Sequence, residues 1–473
     1  MRREILVPLI VATALFMENV DSSVIATSLP EISRDLKVDP IALKLALTSY
    51  LLSLAVFIPI SGWMADKFGA RTIFRAAIVV FTLGSLACGF ATGLTDLVAY
   101  RIIQGIGGAM MVPVGRLVIL RMIPKHELVS ALAWLVVPAL LGPMIGPPLG
   151  GFITTYFHWR WIFWINIPIG ILGFYLASKH IENFREEQVP PLDVSGFILS
   201  GIGLTGLAFG FTTIGQELLP VWLSSGMIVV GAIVMYFYVR HARAHPAPLI
   251  DLKLLSVQTF RTSVISGSLF RIGIGAMPFL LPLMFQLGFG LSPLQSGLLT
   301  FAGAAGAMLM RASVAPILRR FGMKRVLVVN TVIATGFIAA CGLFTPGTPY
   351  FVIIALLFVG GFFRALQFSS LNSLAFADLG QSTMSQATSF TSVAQQISVS
   401  AGVAVAAIVL ESLRYSRGTN EILATDFSIA FFAVSLCSLT AIFMLWKLPI
   451  DAGASLVAPP PPDAQDTERG PQA

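Results

Sequence analysis

Two carboxylates and one arginine lie inside long apolar stretches of this 473-residue sequence. Glu18 and Asp21 are three positions apart, so a helix places them on one face, and Arg101 lies in a later stretch. Ionisable groups at such positions need a partner or a wet cavity. Burial and mutual repulsion favour the protonated acids, whereas a nearby arginine favours the ionised form. This competition predicts a carboxyl group that gains and loses a proton inside a membrane, with a structural ion pair as the alternative.

The elements that must hold these groups are membrane-spanning helices. Apolar residues make up 56% of the chain and charged residues 11%, and the mean hydropathy is +0.84. The apolar runs are about 20 residues long, enough to cross a core about 30 Å thick, and their continuity excludes a β-barrel. Counting about 1.5 Å of helix per residue from the start of each span places Glu18, Asp21 and Arg101 at a similar depth in the membrane. Fourteen spans are predicted, at approximately 5–27, 43–64, 72–92, 96–118, 129–155, 160–178, 194–213, 221–240, 259–287, 294–316, 325–344, 350–373, 384–411 and 427–447.

Basic residues predict the orientation of the spans. With the N-terminus inside, 19 of them fall in inner loops and tails and six in outer loops. We therefore expect a multi-pass protein of the plasma (bacterial inner) membrane with both termini cytoplasmic. The net charge of +7 follows from this asymmetry, so no nucleic-acid partner is predicted. The acids at 18 and 21 disfavour a cleavable signal peptide, which predicts an uncleaved first helix.

Several function classes are excluded by what the loops and motifs lack. No loop is long enough for a catalytic or output domain, and no hydrolase, metalloprotease or phosphate-binding motif occurs. The three cysteines lie in apolar runs, and the five histidines show no metal-ligand spacing. We expect no enzyme activity, no cofactor and no metal, and a membrane sensor is disfavoured. The expected partners are a small-molecule substrate, protons and the lipid bilayer. The sequence leaves the oligomeric state open, and a monomer is compatible with it.

The segment 62–71, GWMADKFGAR, separates the second and third spans. It resembles the loop signature of the major facilitator superfamily. Such a segment implies a turn opened by Gly69 and a charge-assisted link from Asp66 to a neighbouring helix end, with Arg116 or Arg121 as partner. A generic basic inner loop is the alternative reading. A degenerate echo, PILRRFGMKR, ends the tenth span and predicts an internal repeat of the kind that rocking transporters contain.

Three further segments carry the same resemblance. Residues 100–108, YRIIQGIGG, resemble the fourth-helix motif of the superfamily, and residues 142–151, GPMIGPPLGG, match the fifth-helix pattern of its antiporters. Glycines four apart allow close helix approach and prolines favour bending, which predicts a tightly packed hinge, with packing alone as the alternative. Residues 158–170, HWRWIFWINIPIG, resemble the fourteen-helix drug:proton antiporter branch (EmrB/QacA-type multidrug exporters). The resemblance extends to about residue 447.

The resemblance implies an all-α polytopic membrane protein with the major facilitator fold. Its expected units are an N-terminal six-helix bundle at 1–180, a two-helix insertion with connecting loops at 181–258, a C-terminal six-helix bundle at 259–448 and a disordered cytoplasmic tail at 449–473. The implied function is proton-coupled export of amphipathic small molecules or drugs by alternating access. A dedicated metabolite or lysolipid exporter on the same fold is the rival.

The predicted site residues form three groups. Proton coupling is assigned to Asp21, Glu18 and Arg101, with Asp21 as the principal carrier because it most resembles the family's first-helix acid. The predicted substrate cavity includes Glu18, Gln104, Arg271 and Arg364. The predicted gating residues are Gly62, Asp66, Gly69, Arg71, Gly142, Gly146, Pro147, Gly150 and Gly151. The second-half arginines Arg271, Arg311 and Arg364 are either cavity residues, which favour an anionic substrate group, or members of structural pairs.

Overall fold

The structure, a computed structural model, describes residues 3–123, 128–186, 189, 191–213, 220–246, 248–310, 313–380, 383–418, 421–450 and 452–453. All regular secondary structure in these ranges is helical. The α-helices are α1 (Arg3–Leu36), α2 (Lys44–Phe68), α3 (Ala70–Cys88), α4 (Leu94–Met122), α5 (Leu128–Tyr156), α6 (Trp161–Trp164), α7 (Asn166–His180), α8 (Val194–Thr213), α9 (Val221–Ala244), α10 (Gln258–Leu283), α11 (Pro293–Met310), α12 (Val314–Phe321), α13 (Met323–Cys341), α14 (Tyr350–Phe376), α15 (Met384–Arg417), α16 (Ala424–Leu439) and α17 (Ala441–Trp446). A 3₁₀ turn, Leu252–Ser256, precedes α10, and a π-helical turn, Met284–Gly288, follows it.

Twelve helical segments of the described chain are long and apolar enough to cross a membrane. The predicted count of fourteen is not supported by this measure, because α5 and α11, at the predicted fifth and tenth spans, are not among the twelve. Helix α11 contains many glycines and alanines, which contribute less hydropathy than leucine or valine. The sixth, tenth and fourteenth predicted spans are each divided into two helices, α6–α7, α11–α12 and α16–α17.

Helices α1 and α15 extend well beyond their predicted apolar spans. Each contains 34 residues. Polar residues continue the helix past the apolar run, and in α1 the exposed pair Glu31–Arg34, one turn apart, supports the extension. These extensions place charged side chains of the two helices at one end of the bundle.

The helices pack into two groups with a hairpin between them. Helix α1 packs on α4, α5 and α7, and α10 packs on α14, α15 and α16. The groups meet where α5 packs on α11 and α2 packs on α15. The hairpin α8–α9 contacts both groups, since α8 packs on α2 and α15. The predicted unit boundaries stay predictions, and nearly all of the predicted tail, 449–473, lies outside the described residues.

The bundle has two ends, the Asp66 end and the Lys44 end. At the Asp66 end lie the end of α2, the end of α4 and the segment after α7. At the Lys44 end lie the start of α2 and the last turns of α15. One hydrophobic cluster at the Lys44 end draws residues from both groups, including α1, α2, α10 and α15. Toward the Asp66 end the main core divides into one cluster for each group. The groups therefore share a core at the Lys44 end and have separate main cores toward the Asp66 end, where a smaller cluster joins α2 and α15 through the hairpin α8–α9.

The predicted repeat shares one turn geometry. Gly69 between α2 and α3 has φ +98°, and Gly322 between α12 and α13 has φ +77°. The N–H of Gly69 donates to the Ala65 carbonyl at 2.9 Å, and that of Gly322 to the Leu318 carbonyl at 2.9 Å. Positive φ favours glycine because a side chain there is strained. The two segments therefore turn the chain in the same way.

Candidate functional site

Asp21 is the centre of a buried hydrogen-bond network in the first group of helices. Arg101 Nη1 donates to its Oδ2 at 2.5 Å, and Gln104 Nε2 and Asn166 Nδ2 donate to its Oδ1 at 2.8 and 2.9 Å. All four side chains are at most 2% exposed. Because every partner of the carboxyl group is a donor, the network fits the ionised carboxylate.

Asn166 lies within the segment 158–170 but is not among the predicted site residues. It begins α7, and its amide also donates to Ser85 Oγ at 2.9 Å. Ser85 in turn donates to the Phe163 carbonyl at 2.9 Å. The signal available in the sequence was an amide side chain within the predicted apolar span 160–178. The network therefore joins α1, α3, α4 and α7.

Arg101 also contacts α2. Its Nε donates to the Ala46 carbonyl at 3.2 Å, and its guanidinium carbon lies 4.2 Å from the centre of the Tyr50 ring. Its Nη1 donates to Gln104 Oε1 at 2.7 Å. The guanidinium thus has three partners besides Asp21, and one of them is backbone in the first turn of α2.

Glu18 lies one turn before Asp21 and is outside the direct ion pair. Its Oε2 is buried and has no hydrogen-bond partner among the described residues, while its charge interacts with those of Asp21 and Arg116. The structure therefore brings together Asp21 and Arg101, as the sequence predicts. Of the two predicted partners of Asp66, Arg121 forms the ion pair, whereas Arg116 interacts electrostatically with Glu18.

A cavity of about 290 Å³ lies between the two groups. Its walls come from α1, α5, α10, α11 and α14, and they include Ser23, Pro147, Met277, Thr300 and Arg364. Both groups therefore contribute to the cavity.

Only part of the predicted substrate set lines this cavity. Arg364 does so. Gln104 does not, because it lies three residues from Arg101 on the face toward α1 and is fully buried in the Asp21 network. Arg271 is 4% exposed, donates to Asn372 Oδ1 at 2.9 Å and therefore serves as a buried packing residue. Arg311 lies outside the described residues.

The Asp66 end carries a charge cluster within the first group. Arg121 Nη2 lies 3.1 Å from Asp66 Oδ1 and 2.5 Å from Glu186 Oε1. The N–H of Glu186 donates to the Asp66 carbonyl at 3.0 Å, and Arg71 Nη1 to the Ile181 carbonyl at 3.5 Å. The loop signature therefore ties α2, α4 and the segment after α7 together within the first group. A Cβ at Gly62 would meet no atom within 4 Å, so packing does not require glycine there.

The fifth-helix glycines divide between two partners. A Cβ at Gly142, Gly146 or Gly150 would lie 1.8 to 2.6 Å from atoms of α1, closer than packing allows. A Cβ at Gly151 would instead lie 2.4 Å from the Pro293 carbonyl oxygen of the facing group. The first three glycines pack α5 within its own group, whereas Gly151 packs it on α11.

Both groups meet tightly at the Lys44 end. Lys44 Nζ donates to Glu411 Oε1 at 2.9 Å, and Arg414 Nη1 donates to Asp39 Oδ2 at 2.5 Å. Both bonds link the start of α2 or its preceding loop to α15. A Cβ at Gly297 in α11 would lie 2.2 Å from a backbone oxygen of α5, so backbone meets backbone there. This end is closed.

A second cluster lies where α8 begins and α9 ends. Ligand atoms of Asp193, His241 and His245 lie within 4.8 Å of one another, which corrects the view that the histidines offer no metal-ligand arrangement. The helix pairing brings in Asp193, a partner 48 positions from His241. Burial opposes ionisation of Asp193, but bonds from the Gly196 N–H, the His241 ring and the Leu249 N–H outweigh it and lower its pKa.

Comparison with known proteins identifies the family. The model of the Major Facilitator Superfamily matches residues 11–403. The chain is 36% identical over 439 residues to "Probable transport protein HsrA" of Haemophilus influenzae, covering 93% of this chain and 95% of that protein. It is 35% identical over 451 residues to "Putative multidrug resistance protein MdtD" of Escherichia coli, covering 93% and 94%.

Solved structures share the fold. The crystal structure of a D-xylose–proton symporter has a TM-score of 0.67 at 15% identity, covering 95% of this chain and 98% of that one. That of the nucleoside transporter NupG has a TM-score of 0.62 at 14% identity, covering 95% and 100%. The apolar helices and bacterial relatives indicate a multi-pass inner-membrane protein. The chain belongs to the Major Facilitator Superfamily and is a transporter rather than an enzyme.

Proposed function

We propose that this transporter exports amphipathic small molecules or drugs in exchange for protons, by alternating access. The observation that carries the proposal is the buried pair of Asp21 and Arg101, beside a cavity that both helix groups line. An acid in a membrane interior is expensive and commonly belongs to a proton relay. The names of the relatives, a transport protein and a multidrug resistance protein, favour export.

Asp21 is the proposed proton carrier. When it takes up a proton, Arg101 keeps the Ala46 carbonyl, the Tyr50 ring and Gln104 as partners, so the guanidinium is not left alone in the interior. Glu18, with one buried oxygen unbonded among the described residues, is the proposed second acid of the coupling site. Loss of the Asp21–Arg101 attraction changes how Arg101 holds the first turn of α2. The same turn carries Lys44, which bonds to Glu411 of the other group. Proton uptake is thereby linked to the Lys44 end.

We place the Asp66 end in the cytoplasm, as the excess of basic residues in the inner loops indicates. In this arrangement the Asp66 end, where the main cores of the two groups are separate, faces the cell interior, and the closed Lys44 end faces outward. The Asp66 cluster then stabilises the cytoplasmic end of the first helix group, and we propose that it opposes closure of the two groups at that end. Substrate enters from the cytoplasm or the inner leaflet and leaves after the groups rock to the opposite state.

We also propose fourteen crossings and membership of the fourteen-helix drug:proton antiporter branch. Helix α5 follows α1 in register, from Gly142 against Asn19 to Gly150 against Thr27, so both helices run in the same direction. Helix α11 packs along α5, and neither helix contains an acidic or basic residue. At about 1.5 Å per residue, their 29 and 18 residues extend about 43 and 27 Å.

Single-cysteine labelling tests this topology in a protein without its three native cysteines. If α5 crosses, a cysteine at Lys67 and one at Glu182 react with an impermeant maleimide from the cytoplasmic side only. A cysteine at Thr345, in the loop between α13 and α14, reacts from the outside. Labelling of Glu182 and Lys67 from opposite sides contradicts the crossing of α5.

Transport in proteoliposomes tests the function. With an imposed proton gradient, wild-type protein should move an amphipathic drug uphill, with counterflow of protons. The Asp21→Asn variant should lose uphill transport by roughly a hundredfold and retain downhill exchange, because the amide cannot carry the proton. Asp96→Asn, at an exposed position bonded to Thr92, is the matched control and should transport normally. Uphill transport by Asp21→Asn at the wild-type rate would move the coupling site elsewhere.

A further inference from the structure

We propose that Arg364 makes this transporter selective for amphipathic anions, molecules that join an apolar body to a carboxylate, sulfonate or phosphate group. The inference rests on the proposed transport function and names the substrate class of its cavity. Arg364 is the charged residue that lines the cavity, and it stands on α14 opposite the walls from α1 and α5.

Arg364 has no acidic partner in the described part of the chain. Its Nη1 is buried without a hydrogen-bond acceptor. The ionisable group that influences it is Cys341, a buried thiol, and neither Glu18 nor Asp21 does so. An unpaired guanidinium in the interior is unfavourable unless something of opposite charge comes to it. An anionic ligand group supplies that charge.

The rest of the cavity specifies the body of the ligand. Its walls are mostly apolar, with Met277, Leu281 and several prolines. Its hydroxyl groups are already committed as donors, since Ser23 donates to the Asn19 carbonyl at 2.7 Å and Thr300 to the Ser296 carbonyl at 3.0 Å. The N–H groups of Arg364 are therefore the donors available to a ligand acceptor.

The packing around Arg364 holds the guanidinium in this place. Gly303 on α11 lies against it, and a Cβ there would stand 3.0 Å from Nη2. Arg271 likewise has a glycine, Gly267, packed against it and a buried Nε with no acceptor among the described residues, but it differs in its bonding and its position. It is bonded to Asn372, stacks near the Phe368 ring at 5.2 Å and does not line the cavity. It therefore provides a matched control, a second buried arginine of the same helix group.

Binding of three probes to protein in nanodiscs, without a proton gradient, tests the proposal. The probes are 2-naphthoate, 2-naphthalenemethanol and (2-naphthylmethyl)trimethylammonium, which share one ring system and differ in charge. Wild-type protein should bind 2-naphthoate most tightly. Arg364→Gln should weaken 2-naphthoate binding roughly ten- to a hundredfold and leave the alcohol unchanged, as expected for loss of a charge-assisted bond. Arg364→Lys should retain part of the preference, and Arg271→Gln should retain all of it.

Thermal unfolding gives a readout that does not depend on the probes. Removing an unpaired buried charge should raise the Tm of Arg364→Gln, and 2-naphthoate should raise the Tm of wild-type protein but not of the variant. Equal binding of the anion and the cation, no saturable binding of 2-naphthoate, or undiminished binding by Arg364→Gln overturns the proposal.

Different results would refute the proposal of proton-coupled export and the proposal of anion selectivity. Loss of the anion preference with intact proton-driven export of another drug refutes the substrate class alone. Intact anion preference with no gradient-driven transport refutes the coupled export alone.

Discussion

Lys44 Nζ lies 2.9 Å from Glu411 Oε1 and joins the first turn of α2 to α15. The lysine is fully buried, while the glutamate side chain is 17% exposed. Lys44 is two residues from Ala46, whose carbonyl accepts from Arg101. The bond that closes the Lys44 end and the proposed proton site therefore act on the same turn of helix.

Replacing Lys44 should open that end. Lys44→Met removes the charge partner of Glu411, and breaking a pair with one buried member disfavours the closed state by at least a factor of about ten. A cysteine at Ala26, on the cavity wall, should then react faster with an impermeant maleimide added from the Lys44 side. Lys37→Met, at an exposed position of the same end, should leave the rate unchanged. Equal rates in the two variants would argue against a gate here.

Replacing Arg101 should destabilise the fold through Asp21. Arg101→Gln leaves a buried carboxylate with amide donors but no counter-charge, which lowers the free energy of unfolding by roughly 3–5 kcal/mol. The double variant Arg101→Gln/Asp21→Asn should recover most of that loss without recovering uphill transport. Thermal unfolding in detergent measures the difference. Arg34→Gln, in an exposed pair with Glu31, should change stability by less than about 1 kcal/mol, and a similar change in Arg101→Gln would contradict the network.

The fifth-helix glycines should respond according to the helix each one faces. Gly150→Leu must displace the backbone of α1 within one group, which should destabilise the protein by roughly 3 kcal/mol or more. Gly151→Val presses on α11 of the other group, so it should favour opening of the Lys44 end with a smaller loss of stability. Gly226→Leu, where a Cβ meets no atom within 4 Å, is the control. Unfolding data and labelling at the cavity separate these outcomes, and identical behaviour of the first two variants would refute the division.

Acid should weaken the hydrogen bonds that Asp193 accepts at the start of α8. The pKa of Asp193 is lowered in the fold, so its bonds contribute stability above the unfolded value of about 3.9. That contribution is lost as the pH falls through the lower, folded pKa. Hydrogen exchange at the amides of Gly196 and Leu249 should therefore rise, relative to the intrinsic rate, below about pH 4. Asp193→Asn should show fast exchange already at pH 7, and protection equal to wild type there would rule out this role.

The pairing of Asp21 with Arg101 could be predicted because helical rise converts sequence position into depth. Depth alone does not say which face of a helix a residue occupies or which helix stands opposite. The sequence therefore predicts Gln104 in the cavity, whereas in the structure its amide is turned toward Asp21 of α1. The role of Lys44 could not be predicted for a related reason. It lies at the predicted boundary of a span, and its burial depends on the extension of α15 beyond the apolar run.

The charge distribution across the two helix groups has a consequence for how such a transporter changes over generations. Acid and base are matched around Asp21 in one group, while in the other Arg364 meets the cavity without a matching acid. If both proposals hold, substitutions near Arg364 alter the substrate that is carried, while the proposed proton-coupling residues around Asp21 stay unchanged. Duplicated copies of the gene then change substrate through substitutions in one wall of the cavity, and each copy keeps its coupling residues from the start.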